Sequence, residues 1–217
     1  MKKLIFFTFL LVQTFTVFGY DYQTVYSHRI LYFDNTHYDT EAIKMDSVRL
    51  QQNDSVIYPF RGLQLVGNDC FTPFGFTWMG EKIIVSQNWN YFFTELGDTI
   101  KLKTSANLNE TWNIYKNKTN TVTGTVTGWT LSNVLGITDS VKTITLHVFD
   151  SLMMPVRHDL EGKIIEISKN YGLVSAVNFL YFPSPQFSYN WNIQISKIFN
   201  LVGMTNPTLG IQNFTWF

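Results

Sequence analysis

From Val141 to Phe149 the chain alternates without a break: Ile144, Leu146 and Val148 fall on one side of an extended backbone, and Thr143, Thr145 and His147 on the other. A helix would scatter these residues around its axis, so the pattern fits only a strand with one buried and one wet face. The same period runs from Tyr20 to Phe33, where Tyr20, Tyr22, Tyr26, His28, Ile30 and Tyr32 share a side. Aromatic residues make up 17% of the chain, threonine and valine recur, and long alanine, leucine or glutamate runs are absent, which favours pleated half-buried strands throughout.

Turn residues divide the rest into short strands. Ile43–Leu50 and Ser55–Phe60 read as a pair turning at Gln52-Asn53-Asp54, with Pro59 ending the second, after a polar loop from Asp34 to Glu41. The stretch from Gly62 to Gly80 carries Gly67, Gly75, Pro73 and several aromatics, too bulky for a linker, and reads as a packed irregular segment. Further strands are expected at Lys82–Ser86, Trp89–Thr94, Thr99–Lys103, Thr111–Lys116, Thr121–Thr127, Val141–Phe149, Lys163–Ser168, Leu173–Phe182 and Asn192–Leu201, about a dozen in all. Lys169-Asn170-Tyr171-Gly172 forms a hairpin turn, because Asn and Gly tolerate positive φ. The expected fold is all-β and antiparallel, a strongly curved sheet or half-barrel, with a two-sheet sandwich as the alternative.

The first nineteen residues predict an address. Lys2 and Lys3 precede an apolar run, Leu4–Phe18, and Val17 and Gly19 occupy the −3 and −1 positions of a signal-peptidase site, so cleavage is expected between Gly19 and Tyr20. A membrane anchor needs about 20 apolar residues to cross a hydrocarbon core of ~30 Å. This run is shorter and is interrupted by Thr8, Gln13, Thr14 and Thr16. Tyr20 stands where a lipoprotein would carry its acylated cysteine, and the one cysteine, Cys70, has no cation beside it to activate a thiol. Residues 20–217 then read as one β-rich domain. Loss of Lys2 and Lys3 takes the charge balance from 16 against 16 to 14 against 16, with no basic stripe for nucleic acid and no second span for a membrane. The chain ends on Gln212-Asn213-Phe214-Thr215-Trp216-Phe217, a strand-like aromatic run, which raises the expectation that it is the front part of a longer protein.

Five segments carry a resemblance: Phe92-Phe93-Thr94-Glu95-Leu96-Gly97-Asp98-Thr99-Ile100, Leu108-Asn109-Glu110-Thr111-Trp112-Asn113-Ile114-Tyr115, Val134-Leu135-Gly136-Ile137-Thr138-Asp139-Ser140-Val141-Lys142, Ser168-Lys169-Asn170-Tyr171-Gly172-Leu173-Val174 and Leu201-Val202-Gly203. Over roughly residues 90 to 217 the chain resembles secreted proteins of the Bacteroidetes group that carry a type IX secretion C-terminal sorting domain. The resemblance implies export in two steps, with the secretion machinery as partner and the periplasm, outer surface or medium as destination. It lends no catalytic residue. The sorting domain itself would lie beyond Phe217.

Four groups of residues are candidate sites. His37, Asp39 and Glu41 would project on one side of an extended chain and could take a hard cation such as calcium through oxygen atoms, but the segment lacks glycine-punctuated calcium-loop spacing and reads as a solvated loop. Ser151, His158 and Asp159 contain the parts of a hydrolase triad without a nucleophile elbow, and read as a polar turn. Trp78, Trp89, Trp112, Trp129, Trp191 and Trp216 could stack on a ligand, and serve first as core. Asn53, Asn109, Asn117 and Asn213 begin glycosylation sequons that should stay bare in a bacterium. No catalytic, cofactor or metal site is assigned. The expected function is an exported envelope or cell-surface protein, a non-enzymatic binding module, with a carrier of a lipid-like ligand as alternative and a secreted hydrolase third.

Overall fold

In the computed structural model the described residues are 22–27, 29–35, 40–51, 54–62, 71–72, 76–184, 198–206 and 210–212, and among them all regular structure is β. The strands are β1 (Ile30–Asn35), β2 (Thr40–Gln51), β3 (Asp54–Gly62), β4 (Phe71–Thr72), β5 (Ile83–Val85), β6 (Trp89–Phe93) and β7 (Thr99–Lys103). They continue as β8 (Thr111–Lys116), β9 (Asn120–Val134), β10 (Ile137–Asp150), β11 (Ile164–Ser168), β12 (Gly172–Val177), β13 (Ile198–Asn206) and β14 (Gly210–Gln212). All pair antiparallel in the order β7-β6-β5-β3-β2-β1-β13-β12-β11-β10-β9-β8, with β4 beside β3 and β14 beside β13. Two meanders are thus joined where β1 meets β13, Leu31 opposite Met204 and Phe33 opposite Leu201.

The sheet curls until its edges, β7 and β8, lie side by side as a nearly closed barrel. Side chains take the place of a ladder along this seam. The Trp112 indole donates to Lys101 O (2.9 Å), the Tyr115 hydroxyl donates to Asp98 Oδ2 (2.7 Å), and Lys103 is paired with Glu110. One edge carbonyl, Lys101 O, is thereby withdrawn from templating a foreign strand.

Alternation decides which face is inside. Ile100, Leu102, Ile114, Val122, Val126, Ile144, Leu146 and Val148 point inward and are fully buried, while Lys101, Asn113 and Thr127 stand exposed on the outer face. This apolar-in, polar-out wall is the inverse of a lipid-facing barrel. No helix among the described residues is long and apolar enough to cross a membrane. Segments 76–80 and 178–184 fill the interior near one end. Trp78 stacks on Phe199 (4.5 Å between centroids, 6° between planes) and meets Phe33 edge-on, while Phe179 packs on Phe92 at 4.7 Å.

The departures from the sequence reading have local causes. Tyr20–Phe33 alternates like a strand, yet β1 starts only at Ile30. Residues 22–27 instead cross one end of the barrel, where Thr24 O accepts from Leu173 N (2.8 Å) and the Tyr26 hydroxyl donates to Lys169 O (2.5 Å). Pro59 does not end β3. It sits between the part paired with β5 (Ser55–Ile57) and the part paired with β4 (Arg61–Gly62), where a missing N–H costs no ladder bond on that side. β9 runs on past Thr127 because a bulge opposite Thr143/Ile144 shifts its phase. β12 stops at Val177, since Asn178 Oδ1 accepts from Leu180 N (2.9 Å) and folds the chain into a turn.

Candidate functional site

The structure separates most of the residues singled out in the sequence. Glu41 lies on β2 opposite Phe33, whereas His37 and Asp39 fall outside the described residues, as do Gly19, Tyr20, Cys70, Asn53, Asn213, Trp191 and Trp216. Among the described residues no group of three His, Cys, Asp or Glu side chains is placed to hold a metal ion. His158 Nδ1 accepts from Leu160 N (3.1 Å), capping its own turn, and Ser151 is exposed on the preceding one. A histidine–carboxylate contact does form elsewhere: His147 Nδ1 meets Glu161 Oε1 at 2.8 Å, and Glu161 Oε2 accepts from Val148 N (2.7 Å). Among the described residues neither histidine is hydrogen-bonded to a hydroxyl, so the pair ties the 158–163 loop to β10. Trp78 and Trp112 are buried in the core, and Trp89 and Trp129 pack against it. Asn117 caps a tight turn, its Oδ1 accepting from Thr119 N (2.9 Å) and Asn120 N (2.7 Å).

The chemistry that sequence reasoning missed is at Lys142. This lysine follows the inward parity of Ile144, Leu146 and Val148, so the alternation itself places a cation in the core. Lys142 is 1% exposed. Its ammonium donates to Thr104 O and Ala106 O, both at 2.7 Å, and lies 4.5 Å from the Tyr22 ring and 5.2 Å from the Trp129 ring. The Trp129 indole donates to the Tyr22 hydroxyl and to Ser140 Oγ (3.0 Å). Burial pushes the Lys142 ammonium down to about 8, with Glu110 opposing that shift. Two carbonyls and two aromatic faces thus enclose one charge, and they pin the 104–110 loop and the N-terminal segment over the same end of the barrel.

Asp139 braces the neighbouring turn. Its carboxylate accepts from Ser168 Oγ, Asn170 N (2.9 Å), Asn170 Nδ2 (2.9 Å) and Ser140 N (2.8 Å). Burial pushes its pKa up, but these bonds together hold the carboxyl below its ordinary value. At the end of the same hairpin turn Gly172 has φ +83°, and a Cβ there would meet Thr24 O at 2.5 Å, so glycine lets the N-terminal segment lie flat on β12.

At the opposite end, the turn after β10 presents Leu152, Met153 and Met154 to solvent with 80%, 53% and 61% of their surface exposed. This tip is held firmly. Asp150 Oδ1 accepts from Leu152 N (2.8 Å) and Met154 N (2.9 Å), Asp150 N donates to Met154 O (2.9 Å), and Met153 takes φ +62°. A strained non-glycine residue persists only where surrounding bonds over-determine it. The sequence signal was an apolar triplet between Ser151 and Pro155, overshadowed there by the Ser, His and Asp residues around it.

The chain matches no protein family, no curated protein and no solved structure. What it can do is therefore argued from its own geometry.

Proposed function

We propose that the protein is an exported, non-enzymatic envelope or cell-surface module that acts through its outside. The observation carrying this reading is the 151–154 tip. Aromatic and aliphatic side chains occupy the barrel interior, yet four backbone and side-chain hydrogen bonds hold three large apolar residues in water, where they gain nothing for folding. The leader at residues 1–19 supplies the export part of the proposal, and the Bacteroidetes resemblance extends it to delivery by type IX secretion.

The test is expression with the leader in a bacterium with an envelope, followed by fractionation and N-terminal sequencing. A chain starting at Tyr20 outside the cytoplasm is the expected result, and an unprocessed chain kept in the cytoplasm overturns the proposal. Reading the coding frame past Phe217 tests the second step separately: a sorting domain is expected there, and an immediate stop codon removes it.

A further inference from the structure

The 151–154 tip does not stand alone. Asp150 pairs with Asn120, which sets the β8–β9 turn beside it, and that turn carries the exposed Lys116 and Lys118. The Tyr115–Asp98 bond draws in the β6–β7 turn, whose Leu96 is 80% exposed. Three successive turns of one rim therefore read apolar, basic, apolar. Of the carboxylates on these connections, Asp98 is bound by Tyr115, Asp150 by its own turn and Glu161 by His147 and Val148 N, while Glu95 beside Leu96 and Asp159 are exposed.

The size of the tip argues against a protein partner or a second copy. Three side chains offer at most roughly 500 Å², against the ~800 Å² per partner of a stable protein interface. A lipid surface needs neither area nor a preformed pocket: apolar side chains enter the boundary between headgroups and acyl chains, and lysines flanking them meet the phosphates.

We propose that this rim docks on an anionic lipid surface, with Leu152, Met153 and Met154 inserted and Lys116 and Lys118 on the headgroups. The proposal rests on the surface-acting reading above and names its partner. Its test uses the full chain from Tyr20 onward, since an uncleaved leader would itself bind lipid. Co-sedimentation is measured with vesicles of phosphatidylglycerol and phosphatidylcholine (1:3) and with phosphatidylcholine alone.

Wild type is expected to bind the anionic vesicles. The variant Leu152→Ser/Met153→Ser/Met154→Ser should lose at least about tenfold in partitioning, as removal of ~1.4 kcal/mol or more of insertion requires. Lys116→Glu/Lys118→Glu should lose more than roughly 30-fold on anionic vesicles and little on neutral ones, since removing two charges at about 1 kcal/mol each gives that factor and reversing them adds to it. All five positions are solvent-exposed, and circular dichroism checks that each variant folds. Absence of wild-type binding, equal binding of the triple serine variant, or indifference to the anionic lipid each overturns the proposal. None of these outcomes touches the fractionation result, so failure of lipid docking is distinguishable from failure of export.

Discussion

A single ammonium group gives Lys142 a pH signature. Its folded pKa of about 8 lies below the ordinary value of 10.5, so between these values the unfolded chain holds more protons than the folded one and stability rises with pH across that window. Urea titrations of the wild type should show this rise. Lys142→Met should abolish it and, by leaving Thr104 O and Ala106 O without their donor, cost about 1–3 kcal/mol at pH 7. Asp139 behaves oppositely. Because its folded pKa is depressed, its contribution is present above an unfolded value of about 4 and is lost as pH falls through the lower folded one. Asp139→Asn keeps one acceptor oxygen but turns an amide NH2 toward two of the four donors, and should cost about 2–4 kcal/mol at neutral pH, with a smaller difference from wild type at pH 2. A denaturation midpoint gap that stayed constant with pH would count against this account.

Within the elements, close packing sets the limits. A Cβ at Gly124 on β9 would lie 2.4 Å from Ile114 Cδ1 and 3.0 Å from Ile144 Cγ2, so Gly124→Ala should cost about 1–3 kcal/mol. Adding Ile114→Val should recover part of that loss in a double-mutant cycle followed by thermal unfolding. At the seam, Trp112→Phe keeps an aromatic side chain, though a smaller one, and removes the indole N–H that bonds Lys101 O. It should cost about 1 kcal/mol and speed amide exchange in β7 and β8 more than in β11. The sequence was most legible where one period held: Thr99–Lys103 coincides with β7, which pairs with β6 without a shift of register. It was least legible where a bulge changed phase, as in β9, or where a strand-like pattern found tertiary partners outside a ladder, as at Tyr22 and Tyr26. The site was less legible than the fold, because Lys142 needs the barrel end around it before its burial has meaning, and the apolar tip needs its turn.

At the scale of the whole molecule, the two meanders are local in sequence, but the pair that unites them is not. Ile30 meets Thr205 across a separation of 175 residues. Hairpins such as β9–β10 can form early, whereas the β1–β13 pairing must wait for loop closure over nearly the whole chain. Under the export proposed above, in which the N-terminus leads, that topology would work as a timer. β1 would cross before β13 follows it, so the barrel would lock only once the far end of the chain had arrived.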